Sequence, residues 1–265
     1  MTNQFEKEEI LTGGNISNVY RAGDTVRREL KKESSKIHKL LNHLENKGFE
    51  YAPKLLGIDD KGREVLTFIE GEAGKYPLKE YMWSNSVLAE IAKMLRQYHD
   101  AVSDFPITDE WVPMVNTPDK MEVICHNDFA IYNIIFHDKK PVGIIDFDVA
   151  APGPRLWDIA YTLYTCVPLS RLNHNENGEE IYYNSIKDAE RIKNRVNVFF
   201  EAYGIEGLKE NYLEMVLLRL AGLCKYMIKK ANEGDVAFQN MLKQGHLEHY
   251  QKDIIFIREH GNEWN

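Results

Sequence analysis

The chain has 265 residues, 43% hydrophobic and 28% charged, an ordinary globular composition with room for one large domain or two lobes around a cleft. Lys plus Arg number 33 against 41 Asp plus Glu, a formal net charge of −8. That balance disfavours nucleic acid and anionic membrane as partners and suits a cationic one.

The N-terminal stretch is polar and acidic, so no signal peptide is expected. No run approaches the roughly 18 apolar residues of a membrane span. Cys125, Cys166 and Cys224 lie far apart and form no CxxC pattern. Neither a zinc knuckle nor a disulfide framework is indicated, and a cytoplasmic location is expected.

Near the start, Gly13-Gly14 leads through Ser17 into Val19-Tyr20-Arg21, which reads as a loop feeding a strand. Gly23-Asp24 marks a turn, and 25–30 reads as the next strand. Residues 34–47 form an amphipathic helix with Ile37, Leu40, Leu41 and Leu44 on one stripe. Residues 53–59 and 64–70 follow as two strands around a Lys-Gly-Arg turn, and the second breaks at Gly71. A linker over 72–81 precedes a second amphipathic helix, 84–99, whose inner stripe is Val87, Leu88, Ile91, Leu95 and Tyr98. Residues 101–118 carry three prolines and read as an irregular connection.

The segment 125–157 carries the chemistry. His126-Asn127-Asp128 is followed, after four residues, by Asn133, and Asp146-Phe147-Asp148 comes thirteen residues later. Two apolar runs, 133–136 and 142–147, flank a polar turn at 137–141, which predicts a hairpin. Such spacing suits phosphoryl transfer, where positioning and charge neutralisation matter more than covalent chemistry. Asp128 is placed as a base, and Asn133 and Asp146 offer hard oxygen ligands suited to Mg²⁺. Beyond it, 168–185 reads as a polar surface loop, and three helices are expected near 186–203, 206–231 and 236–260. Leu213, Val216, Leu217, Leu220, Leu223 and Met227 make the apolar stripe of the middle one. His246 and His249 lack a third metal ligand and read as a helix-surface pair.

The H-x-D-x-x-x-x-N and D-F-x patterns form the kinase catalytic signature. Together with the Pro-Gly-Pro-Arg-Leu-Trp-Asp-Ile-Ala stretch, 152–160, this sequence resembles the aminoglycoside phosphotransferase and choline kinase family. The resemblance is strongest over 125–161 and weaker from Leu11 to Tyr98. It implies an α+β, two-lobed, protein-kinase-like fold. Residues 1–71 would form the small antiparallel-sheet lobe and 72–265 the helical lobe, with ATP between them.

The same resemblance implies roles for further residues. Gly13, Gly14 and Ser17 would cap the phosphates. The family places a lysine near strand 25–30, where this chain offers Arg27 and Arg28. Alternation puts Val26 and Arg28 on one face, so Arg28 is assigned to the cleft, with Glu33, His38 and Glu45 as candidate partners. The backbone of Thr67, Phe68 and Ile69 would face the adenine edge. His126 and Asp158 would brace the catalytic loop. The implied activity is ATP- and Mg²⁺-dependent O-phosphorylation of a small molecule, with an aminoglycoside-type or other cationic acceptor first. A kinase for choline, homoserine or a sugar is the alternative, as is a nucleotide-binding immunity or regulatory protein with little turnover. A cationic acceptor would meet the glutamates of the tail: Glu179, Glu180, Glu201, Glu206, Glu210 and Glu214.

Overall fold

Alternating side chains and tight turns build a sheet near the start of the chain. The computed structural model describes residues 8–11 and 19–265. Strands β1 (Glu9–Leu11), β2 (Val19–Ala22) and β3 (Thr25–Glu29) pair antiparallel in sequence. Helix α1 (Ser34–Asn46) follows, then β4 (Leu55–Ile58) and β5 (Arg63–Thr67). The sheet order is β1-β2-β3-β5-β4, so β5 inserts beside β3. Ile37, Leu40, Leu41 and Leu44 of α1 are buried in the core, as the period of 3.6 requires.

Past β5 the chain crosses to a second, three-stranded sheet. The expected linker contains a two-residue strand, β6 (Glu72–Ala73), paired with a later strand of the hairpin described below. Gly71 makes that crossing possible. Its φ is 144°, and a Cβ there would lie 2.4 Å from the Phe136 carbonyl oxygen.

A one-turn 3₁₀ segment, Glu80–Trp83, leads into α2 (Asn85–Ala101). Ser84 caps α2 by accepting from the Val87 amide at 3.3 Å. The five residues of its apolar stripe are all buried. Strand β7 (Val123–Cys125) follows, then β8 (Ile134–His137), β9 (Lys140–Ile144) and β10 (Ala151–Gly153). Strands β8 and β9 form the expected hairpin, order β6-β8-β9. Its turn is tighter than the polar run suggested. Asp138 and Lys139, at φ 47° and 63°, make a two-residue turn of the kind that matches strand twist.

The rest is helical: α3 (Arg155–Cys166), α4 (Ser185–Tyr203), α5 (Tyr212–Asn232), α6 (Val236–Lys243) and α7 (His246–His260). Between α3 and α4, the stretch read as a plain loop contains a hairpin of β11 (Leu172–His174) and β12 (Glu180–Tyr182). The helix expected over 236–260 is two helices. Gly245 at φ 83° ends the first, and Asp235 caps it through the Ala237 and Phe238 amides. Among the described residues, no helix is long and apolar enough to cross a membrane. The three cysteines are buried and unbridged.

Candidate active site

The segment that begins at His126 is held from behind by one carboxylate. Asp158, in the first turn of α3, is fully buried and accepts from the backbone amides of His126 at 2.6 Å and Asn127 at 2.7 Å. His99 of α2 adds a third bond, Nε2 to Oδ2 at 3.2 Å, while its Nδ1 meets the Tyr203 hydroxyl at 2.8 Å. Burial pushes the Asp158 carboxyl up, but the bond from His99, with the nearby histidines and the amides, holds it below the usual range. Burial also lowers His99. A neutral ring donating through Nε2 satisfies both groups, so the bonds rather than an ion pair keep Asp158 ionised.

Asn127 sits at φ 64°, a left-handed conformation that asparagine tolerates better than most residues. Its amide donates to the carbonyls of Val149 at 3.0 Å and Ala151 at 3.3 Å, and its Oδ1 accepts from Trp157 Nε1 at 2.8 Å. That stitches the loop to the strand beyond the hairpin. His126 is fully buried, and its Nδ1 accepts from the Asp128 amide at 3.2 Å. The ring proton is therefore on Nε2. Burial lowers this histidine to about 4, so it stays neutral at physiological pH.

Asp128 emerges from this bracing at the loop's head, partly exposed. Tyr132 donates to its Oδ1 at 2.6 Å, and the Asn133 amide donates to its Oδ2 at 2.7 Å and to its carbonyl at 3.0 Å. The Tyr161 hydroxyl lies 3.0 Å from that of Tyr132. Desolvation raises the Asp128 carboxyl to about 6, against the opposing effect of the Tyr132 and Asn133 bonds.

The hairpin delivers the remaining carboxylates. Ile134 faces Ile144, and the Ile145 amide donates to the Asn133 carbonyl at 3.0 Å, so Asp146 returns beside Asn133. Asp146 adopts φ 68°, a conformation that few non-glycine residues hold unless their surroundings impose it. Its enclosure by the cleft walls and then the charge of Asp148 hold its carboxyl above the usual range. The side chain is exposed to the cleft, so solvent tempers the first effect. Burial also pushes Asp148 up, but the charges of Arg28 and Lys31 more than offset it.

From the sheet, Arg28 of β3 bridges two carboxylates. Its Nε bonds Glu64 of β5, and a terminal nitrogen lies 2.8 Å from Asp148. Lys31 reaches the other Asp148 oxygen at 2.6 Å. The partner of Arg28 is thus Glu64, not Glu33, His38 or Glu45. His38 also points at Glu64, at 2.6 Å, while Glu45 pairs with Lys54 at 3.2 Å on the surface. Arg27 faces away, 3.9 Å from Asp59.

At the expected hinge, two donors are already committed. The Thr67 amide bonds the Lys54 carbonyl at 3.0 Å and the Phe68 amide bonds that of Asp24 at 2.8 Å. Gly13, Gly14 and Ser17 lie outside the described residues. His249 pairs with Asp253 at 3.3 Å, and no group of three or more acidic, His or Cys side chains able to hold a metal occurs among the described residues. The tail glutamates Glu179, Glu180, Glu201, Glu206, Glu210 and Glu214 are all exposed.

Sequence reading missed Asn127, Tyr132, Tyr161, Glu64 and Arg219. Glu64 had a signal, an acid opening an apolar strand. Arg219 had another, a lone guanidinium on the apolar stripe of α5. It is 2% exposed and donates to the Asn127 carbonyl.

This geometry agrees with what known proteins share with the chain. Residues 107–180 match the family model described as APH, phosphotransferase enzyme family. A curated relative, the trifolitoxin immunity protein of Rhizobium leguminosarum bv. trifolii, is 39% identical over 151 residues, covering 55% of this chain and 56% of that protein. Acyl-CoA dehydrogenase family member 11 of Gallus gallus is 25% identical over 170 residues, 58% of this chain and 22% of that one. The chain thus spans about half the length of the first of these and about a fifth of the second. In fold, it is similar to choline kinase from Cryptosporidium parvum Iowa II (TM-score 0.63, 12% identity, 98% of this chain and 92% of that one). It is also similar to the gentamicin complex of APH(2")-IIa (TM-score 0.59, 16% identity, 95% and 94%). The fold is α+β and kinase-like, as the resemblance implied.

Proposed function

We propose that the chain is an ATP- and Mg²⁺-dependent O-phosphotransferase acting on a hydroxyl of a small molecule. One observation carries this reading: the β8–β9 hairpin sets Asp146 beside Asn133, which grips Asp128, while Arg28 arrives from the sheet onto Asp148. Residues 1–71 act as the smaller lobe and 72–265 as the helical lobe, with nucleotide between them. Asp128 orients and deprotonates the acceptor hydroxyl; its carboxyl near 6 is ionised at neutral pH yet basic enough to take a proton. His126 and Asp158 hold the loop that carries it. Arg28, with the Gly13-Gly14 backbone and Ser17, binds phosphate. Adenine would meet the backbone of Thr67, Phe68 and Ile69, of which the Thr67 and Phe68 amides are already bonded.

Asn133 and Asp146 suit Mg²⁺. Asn133 spends its amide nitrogen on Asp128, so its oxygen is the atom left for a cation. Asp146 lies beside a second carboxylate, whose repulsion a cation would relieve. Two protein ligands are enough for an ion that keeps waters and substrate phosphates. Bound there, Mg²⁺ would neutralise charge on the transferred phosphoryl group.

Aminoglycoside-type and other cationic alcohols are the first acceptors to test, because structural neighbours include aminoglycoside complexes and the net charge is −8. Buried free thiols fit a reducing cytoplasm. The 39% relative supports a second reading, an immunity protein that binds nucleotide with little turnover. Purified protein with [γ-³²P]ATP and Mg²⁺, screened against an alcohol library, separates them. Labelled product from any alcohol supports transfer. Nucleotide binding without transfer across the library supports the second reading.

A further inference from the structure

Arg219 is unusual among the buried charges. Its guanidinium offers five N–H donors. One nitrogen donates to the Asn127 carbonyl, while Nε and the other terminal nitrogen are buried without a hydrogen-bond partner. Its charge helps hold the Asp128 carboxyl down, but the hydrogen bond it makes is to the Asn127 carbonyl rather than to that carboxylate. Its flat face rests on Tyr161, 4.5 Å from the ring centre, with Trp157 at 5.3 Å. Stacking of this kind accounts for where the group sits. It leaves open what its in-plane donors meet, and buried charges are ordinarily paired.

The position points to an occupant. Arg219 holds the carbonyl next to Asp128, and the Tyr161 ring beneath it reaches Asp128 through Tyr132. Arg28 and Lys31 approach from the sheet, the side proposed for nucleotide phosphates. Arg219 approaches from α5, on the helical side. In-line transfer puts the acceptor hydroxyl at Asp128 and the acceptor body away from the phosphates. On that reading Arg219 stands on the side where the acceptor body would lie.

We propose that Arg219 receives a carboxylate of the acceptor, so the substrate carries that group close to the hydroxyl that reacts, which narrows the cationic alcohols named above to those that also carry a carboxylate. The inference rests on the phosphotransferase reading of Asp128. A planar fork suits such a group, offering two parallel donors that lysine cannot reproduce. The tail glutamates, all exposed, do not occupy this place.

The test reads binding rather than turnover. The unfolding midpoint of the full chain, saturated with Mg²⁺ and a non-hydrolysable ATP analogue, is followed at constant ionic strength as acetate or inorganic phosphate replaces chloride. A ligand that binds only the folded state raises the midpoint saturably. The expected result is a saturable rise with acetate that Arg219→Gln abolishes. If that variant does not fold, Arg219→Lys keeps the charge and should need several-fold more acetate for the same rise. No saturable rise in wild type overturns the proposal, as does a rise unchanged in either variant. A rise with phosphate alone assigns the group to the transferred phosphoryl and overturns the acceptor assignment. If the nucleotide analogue itself gives no shift, the nucleotide reading fails while the acetate comparison, repeated without it, still reports on Arg219.

Discussion

At the scale of single residues, the proposed function gives Asp128 and Asp146 separable duties. Asp128→Asn should cut transfer by about 10²–10⁴-fold, the usual cost of a lost general base, and leave nucleotide affinity within a few-fold. Steady-state rates beside calorimetric ATP affinity check both halves. Near-wild-type turnover would remove Asp128 from the chemistry. The pH profile follows from its carboxyl near 6. With Asp128 as the proposed base, the ionised form would be the working one, so activity should fall as pH drops through about 6, by about tenfold per unit below it. His126, near 4, titrates outside that window. Asp146→Ala should instead shrink the difference in ATP affinity with and without Mg²⁺, because the proposal makes Asp146 the charged ligand. An unchanged Mg²⁺ effect would move the metal elsewhere. These residues were legible because one contiguous segment carries them at hairpin spacing. Arg219 was not, since it meets Asn127 across 92 positions. No local pattern encodes that meeting. Only the packing of α5 against α3 creates it.

At the scale of elements, one ion-pair network joins β3, β5 and α1. Glu64 is 1% exposed and takes both Arg28 and His38. Arg28→Met leaves that carboxylate with His38 alone. Removing one partner of a buried pair costs about 3–5 kcal/mol, and urea denaturation should show a loss of that order. Arg28→Lys should lose less, since it keeps the charge but cannot span Glu64 and Asp148 together. A loss below about 1 kcal/mol for the methionine variant would mean that Glu64 is satisfied without Arg28. The elements themselves were readable where periodicity was strong, as in α1 and α2. They were misread where one glycine or a short pairing decided the outcome. Gly245 divides α6 from α7, and β11 and β12 pair within a stretch too polar to announce strands. The choice of Glu64 over Glu33, His38 or Glu45 depended on β5 inserting beside β3, a matter of sheet order that local patterns do not record.

At the scale of the whole molecule, the sheet and the segment after the β8–β9 hairpin are tied through Asp148. Arg28 and Lys31 both leave the sheet region to reach it, at 2.8 and 2.6 Å. In the proposed mechanism those same cations meet the nucleotide phosphates, so binding would exchange one tie for another. Asp148→Asn should therefore lower the unfolding midpoint without nucleotide by more than it does at saturating Mg²⁺ and ATP analogue, where phosphates bridge the two parts instead. The sign of the Asp148 titration agrees. Its carboxyl is held below the usual range, so its contribution is present above the unfolded value and fades as pH falls through the folded one. The midpoint difference between wild type and Asp148→Asn should thus be full at neutral pH and shrink in acid. The opposite pattern, a larger loss with nucleotide than without, would make Asp148 a metal or nucleotide ligand. Equal losses in both states would mean that ligand binding leaves the Arg28 and Lys31 ties in place, and the phosphate role of Arg28 would have to be given up.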